Sequence, residues 1–224
     1  MVFCRTDPAS NRRQGVSCLL VDMRSPGVTV RPLRQMGGQA EFNEVFFEDV
    51  RVPRANVVGT VNQGWHIAIT TLMHERQTLT FSRQLQSRVA LDQLLALARR
   101  WPAGRPLARQ PLARQQLAAA VIDSQAMRVT ALRNLTRVLR GAEPGPEGSL
   151  EKLFWSEMYQ RMLESAVALQ GPFGQLLAGS AHAVDDGRWP HLMLYSRGRT
   201  IAAGSSEIQR NIIAERVLGL PRQR

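Results

Sequence analysis

Chemistry in this chain has to begin from side chains that can give, take or hold charge, and three places offer them together. Glu75 lies in LMHERQTL between His74 and Arg76, a carboxylate flanked by an imidazole and a guanidinium. On a helix such a triplet is ordinarily a solvated face or an intrahelical ion pair, and a lone histidine is more often a surface or satisfied core residue than an acid or base. The tail AGSSEIQR sets Ser205, Ser206 and Glu207 at the start of an apolar-periodic segment. Its first backbone N–H groups could meet a phosphate or another polar ligand; the plain alternative is that Ser205 or Ser206 caps the helix. Arg100 stands at the end of a helical pattern, just before the helix-breaking WPAGRP. Cys4 and Cys18 have no CxxC partner and no histidine at metal-ligand spacing, so they read as reduced strand residues, and no metal is expected.

The formal net charge of +11 narrows the partners. The 29 basic residues include a single lysine, Lys152. Nucleic-acid recognition would cluster basic residues with aromatics, whereas these arginines are spread along helices and only 6% of residues are aromatic. Nucleic acid is therefore not an expected partner; an anionic small molecule or an acidic partner subunit accounts for the same charge. No run of about 18 uncharged apolar residues occurs, and the opening MVFCRTDPAS lacks the basic-then-apolar order of a signal peptide. The expected compartment is the cytoplasm, without a membrane.

The elements that must position these groups fall into two kinds. Residues 16–50 read as extended, with VSCLLVDM, VTVRPL and EFNEVFFEDVRVP separated by Pro-Gly punctuation. That is too little strand to close a sheet, and one apolar face should remain uncovered. From about residue 61 the periodicity turns helical: Trp65, Ile69, Leu72, Leu85, Val89 and Leu95 form the expected buried stripe of a segment to about Arg99. A second helix is expected from about 109 to 140, and a third from Leu150, with Leu150, Phe154, Met158 and Met162 on one face. Two shorter helices follow, one with Pro190 in its first turn, the last with Ser206 and Gln209 at capping-box spacing and an Ile208, Ile212, Val217 stripe ending at Gly219 and Pro221. The fold class is mainly α, an antiparallel bundle preceded by a β remnant.

Two stretches carry more than pattern. VDMRSPGVTVRPLRQMGGQAEFNEVFFEDVRVPRANVVG resembles the last strands of the middle β-domain of acyl-CoA dehydrogenases, and RTIAAGSSEIQRNIIAERVLGLPR resembles the C-terminal signature of the same family. The resemblance extends over essentially the whole chain. It implies that residues 1–60 end the middle β-domain and that residues 61–224 form the C-terminal helical bundle, which binds flavin and builds the oligomer. It also implies FAD, an acyl-CoA substrate in fatty acid or lipid metabolism, an electron-transfer flavoprotein as acceptor, and a homo- or hetero-oligomer of tetrameric kind.

Dehydrogenation of an acyl-CoA thioester to its 2,3-enoyl form needs a carboxylate to take the Cα proton and donors for the developing enolate, while the flavin accepts the hydride from Cβ. In many family members the base is a glutamate just before the glycine of the C-terminal motif; that place here is Ala203, which cannot take a proton. Other members carry the base in a Glu-Arg pair on the first long helix, which implies Glu75 as base and Arg76 as a substrate-site arginine. Ser205 and Glu207 match positions that touch flavin through Thr and Gln, and Arg100 matches the arginine of an RxxFG pattern that reaches a neighbouring subunit's flavin, with Ala103 in the Phe position. The family's Gln three residues before a Gly-Gly pair corresponds to Ala168 before Gly171 and Pro172; Pro172 lacks a backbone donor. The family's N-terminal helical domain and its flavin-contacting β-domain loop would precede residue 1, so the expectation is a truncated or partner-dependent chain. Two alternatives stay open: a non-catalytic structural subunit of a mixed tetramer, and a flavin oxidase or monooxygenase of the same fold.

Overall fold

The computed structural model describes residues 1–101, 106–142 and 145–222, and their side chains except those of residues 73–81 and 108. The chain divides into two compact units, Met1–Glu75 and Arg76–Arg224.

The first unit holds the strands. β1 (Val2–Arg5), β2 (Val16–Leu19) and β5 (Val57–Val58) form an antiparallel sheet in the order β1-β2-β5, and β3 (Val28–Leu33) pairs with β4 (Phe42–Phe47) as a separate hairpin. β1 and β5 extend the sequence expectation; of the three expected strands, VTVRPL forms in full as β3, while VSCLLVDM and EFNEVFFEDVRVP shorten to β2 and β4. Two factors fix the small sheet. Ser17 and Cys18 are buried on β2, and the Ser17 hydroxyl accepts from the Asn62 backbone N–H at 2.7 Å and bonds Thr6 Oγ1 at 2.6 Å. Gly64 is needed where the chain passes β2, because a Cβ there would lie 2.6 Å from the Ser17 carbonyl carbon. β4 is exposed along its whole length, Phe42, Phe46 and Phe47 included, as expected of strands with one uncovered face.

The second unit is helical: the remainder of α1 (Gly64–Arg100), then α2 (Pro111–Leu139), α3 (Glu147–Leu169), α4 (Arg188–Ser196) and α5 (Ser206–Ile212), the last running into a wider turn over Ile213–Val217. α3 lies at the centre. Its buried residues, among them Trp155, Ser156, Met158, Tyr159, Met162, Leu163 and Ala166, cover one broad side of the helix, and Arg161, Glu164 and Ala168 on the opposite side are exposed; the face expected from Leu150, Phe154, Met158 and Met162 is corrected, because Leu150 and Phe154 are only half-buried, at the edge of that side. The α1 stripe is corrected too. Trp65, Ile69, Leu72, Leu85 and Val89 are exposed, and the core side carries Ser87, Ala90, Leu91, Leu94, Leu97 and Ala98. Alanines there let α1 lie close to large residues elsewhere in the core, and the Trp155 indole N–H donates to the Ser87 hydroxyl at 2.9 Å. The terminal stripe fares likewise: Ile208 and Val217 are exposed, and α5 buries Ser206 and Gln209 instead.

Candidate active site

The signature tail folds around one tight turn. Ala203 has φ 57° and Gly204 φ 93°, both in the left-handed region, where a residue with a side chain is strained and glycine is not. A Cβ at Gly204 would also lie 2.5 Å from Gln209 Nε2 and displace that amide. That amide donates to the carbonyl oxygens of Ala203 at 2.9 Å and Gly204 at 3.3 Å. The Gly204 oxygen also accepts from Lys152 Nζ at 2.6 Å. The lone lysine of the chain is thus spent, buried, on a backbone carbonyl next to Ala203.

Burial and the nearby Arg83 guanidinium push the Lys152 ammonium below its ordinary pKa of 10.5, against the opposing pull of Glu157 and Glu207. A native state that gives up its proton earlier than the unfolded chain gains stability as pH rises toward 10.5. Tyr159 and Cys18, raised by burial, act in the opposite sense but are shared by any Lys152 variant. Lys152→Met, which keeps most of the volume, is therefore expected to remove an alkaline gain in unfolding free energy; denaturant titrations of both proteins from pH 7 to 10.5 check it, and identical profiles would refute it.

The cap resolves to Ser205, whose hydroxyl accepts from the Ile208 N–H at 3.4 Å. The Ser206–Gln209 capping box does not form, because Gln209 is turned back onto the 203–204 carbonyls. Ser206 Oγ is buried and has no partner among the described residues. Glu207 is exposed; hydrogen bonds from its own backbone N–H and from Ser205, aided by Arg210 and Lys152, hold its carboxylate below the usual range.

Arg100 lies elsewhere, at the end of α1, where its guanidinium pairs with Asp185. Asp185 also accepts from the Trp189 indole N–H at 2.9 Å. Asp185, Asp186 and Gly187 are consecutive left-handed residues, a reversal that presents the Asp185 carboxylate to both donors. Burial pushes Asp185 up, but the hydrogen bonds from Arg100 and Trp189 and the charges of Arg100 and Arg188 outweigh it and leave the group below its ordinary value. Glu75 and Arg76 fall within α1, and their side chains, with that of His74, lie outside the described residues, as does Ala103. The structure therefore joins Ser205 and Glu207 in one cap and places Arg100 in a separate ion pair.

Sequence reasoning missed Lys152, Gln209 as a clamp, Asp185 and Gln170. Gln170, two residues beyond Ala168, is buried; its amide donates to the Ala166 carbonyl at 2.8 Å, and its Oε1 has no partner among the described residues. The one available signal for Lys152 was its being the sole lysine inside an apolar helix stripe. Nothing in local sequence pairs it with Gly204, 52 residues on.

Comparison with known proteins follows the same outline. The family model for the acyl-CoA dehydrogenase C-terminal domain matches residues 62–218. The chain is 40% identical over 223 residues to acyl-CoA dehydrogenase IpdE1 of Mycolicibacterium smegmatis, covering 99% of this chain and 53% of the relative, and 32% identical to acyl-CoA dehydrogenase FadE34 of Mycobacterium tuberculosis, covering 98% and 29%. Among solved structures it matches a Tcur3481-Tcur3483 steroid ACAD with TM-score 0.89 and 26% identity, covering 99% of this chain and 56% of that one. It matches the ChsE4-ChsE5 complex from Mycobacterium tuberculosis with TM-score 0.82 and 25% identity, covering 99% and 57%. The chain spans about half the length of its IpdE1 relative. No described helix is long and apolar enough to cross a membrane. The 157 residues from 62 to 218 and the signature turn they contain place this chain in the acyl-CoA dehydrogenase family.

Proposed function

We propose that this chain contributes to a flavin-dependent acyl-CoA dehydrogenase that converts an acyl-CoA thioester to its 2,3-enoyl form, with Glu75 removing the Cα proton and Arg76 orienting the substrate, and that it does so together with a partner chain. The observation that carries the reading is the clamped turn. Lys152 and Gln209 hold the backbone of the signature in place, while Ala203 leaves it without a proton acceptor. A turn kept and a base absent call for a carboxylate from another element, and Glu75 on α1 is the one the Glu-Arg resemblance offers.

FAD, when bound, would supply the acceptor for the hydride leaving Cβ. The residues of the tail fit only part of such a group. With the Ser205 hydroxyl accepting from Ile208 and its proton given to the ionised Glu207, the pair offers acceptors, suited to the hydroxyl and imide N–H groups of a flavin and not to its diphosphate. Arg100, matched to the arginine that reaches a neighbouring subunit's flavin, is neutralised by Asp185. That neutralisation favours the second reading, a structural subunit whose own flavin contacts have lapsed. An electron-transfer flavoprotein as acceptor and a hetero-oligomeric assembly complete the proposal; two structural neighbours are described as paired proteins.

The test is to purify the chain, record its mass in solution and its absorption near roughly 450 nm, where oxidised flavins absorb, and assay acyl-CoA esters for a product lighter by two hydrogens. Bulky polycyclic acyl groups come first, since one neighbour is described as a steroid ACAD. A yellow oligomer forming enoyl-CoA supports the catalytic reading. A colourless chain that stays inert after supplementation with FAD and co-expressed partner dehydrogenase chains supports the structural one, and a hydroxylated product points to the monooxygenase alternative.

A further inference from the structure

Lys152 reaches the signature turn at a single peptide group. Its Nζ donates to the Gly204 oxygen at 2.6 Å; Gln209 Nε2 shares that oxygen at 3.3 Å and takes the Ala203 oxygen at 2.9 Å. A carbonyl oxygen and the N–H of the next residue belong to one conjugated amide. A donor on the oxygen draws electron density from the nitrogen and makes that N–H a stronger donor in turn, the more so when the first donor is charged. Lys152 therefore acts on the Ser205 N–H, and Gln209 also acts on the N–H of Gly204.

Both of these N–H groups are without an acceptor among the described residues. The adjoining Ser206 hydroxyl, in a residue only 6% exposed, has no partner there either. Constrained polar groups take partners, and a donor strengthened by a cation selects an electron-rich oxygen. The side chains of Ser205 and Glu207 offer acceptors at the same cap, so the backbone supplies the donors that they lack.

A neutral side chain could clamp the Gly204 carbonyl equally well; an ammonium brings its charge besides, at the cost of burying it. That charge is not cancelled by contact. Arg100 is neutralised by Asp185, whereas no ion pair of the described residues includes Lys152.

We propose that Lys152 is a positioning residue for the dehydrogenation: its unpaired ammonium, acting through the Gly204–Ser205 peptide, makes the Ser205 N–H the strengthened donor that holds an oxygen of the flavin at the cap. This role rests on the dehydrogenase reading and adds to it a residue that touches neither substrate nor cofactor.

The test compares wild type, Lys152→Met, which keeps most of the volume, and Lys152→Arg, which keeps the charge. Each is co-expressed with a partner dehydrogenase chain, stripped of flavin and titrated with FAD by fluorescence. The methionine variant is expected to bind FAD about tenfold more weakly and the arginine variant within about twofold of wild type. In the full chain alone, the amide nitrogen resonance of Ser205 should move upfield in Lys152→Met and stay near its wild-type position in Lys152→Arg. Unchanged helical circular dichroism shows that both variants fold. Equal impairment of the two variants would make side-chain shape the cause and overturn the proposal, as would a Ser205 resonance that ignores the loss of charge. Flavin held equally by all three proteins overturns the proposal alone; a wild-type complex that takes up no flavin overturns the dehydrogenase reading and this role with it.

Discussion

In the assembled, flavin-loaded enzyme, Glu75→Gln is expected to cut 2,3-dehydrogenation by about 10²–10⁴-fold, the usual contribution of a positioned general base. Glutamine keeps the shape and hydrogen-bonding reach of glutamate but cannot take a proton. No substitute stands at the signature position, where Ala203 has only a methyl group. The variant should retain its flavin absorption and its mass in solution, because a residue whose role is proton transfer does not hold the fold together. Glu75→Asp, which keeps the carboxylate on a shorter arm, should retain more activity than the glutamine variant. Unchanged turnover in Glu75→Gln would remove the residue from the mechanism; loss of flavin or of assembly along with turnover would make it structural.

Trp155→Ala should destabilise the helical unit by about 3–5 kcal/mol, the range for deleting a buried aromatic side chain. Trp155 is among the largest fully buried side chains described. Its ring stacks on Tyr159 with centroids 5.8 Å apart, and the guanidinium carbons of Arg83 and Arg199 lie 5.0 Å and 5.6 Å from its centroid, contacts that add to area burial. Its indole N–H reaches Ser87. Trp155→Phe should cost less, because a ring remains and the Ser87 hydroxyl still donates to the Arg83 carbonyl at 3.0 Å. Urea titrations measure both, and a shift under about 1 kcal/mol for the alanine variant would contradict the central placement of this side chain.

The order of strands and helices was legible because Pro-Gly turns and the change of hydrophobic period are local signals. α2 was expected at 109–140 and spans Pro111–Leu139. Which face of each helix turns inward was not legible. On α1 the large apolar residues Trp65, Ile69, Leu85 and Val89 form a stripe of their own, yet the buried face mixes Leu91, Leu94 and Leu97 with the small Ser87, Ala90 and Ala98, which let neighbouring elements approach closely. On α3 the buried side centres on Trp155, Tyr159, Met162 and Ala166, so the expected face, which included Leu150 and Phe154, lay at its edge. The turn at 203–206 was recognisable as a motif through its residues, and Ser205 as one of two possible caps. Its clamp was invisible: Lys152 and Gln209 act on backbone carbonyls, which have no sequence identity, and Lys152 does so from another helix. Asp185 escaped for a related reason, since its pairing with Arg100 depends on a left-handed reversal that neither aspartate favours by itself.

The burial of the lone lysine has a practical sequel in proteolysis. An endoprotease that cuts only after lysine has a single cleavage point in this polypeptide, and α3 keeps that point in the core, 4% exposed, with its ammonium tied to Gly204. Local fraying of loops and termini offers such an enzyme nothing to cut. Cleavage must wait until the central helix leaves its neighbours, so the rate of a single scission reports the opening of the helical core, with no label added.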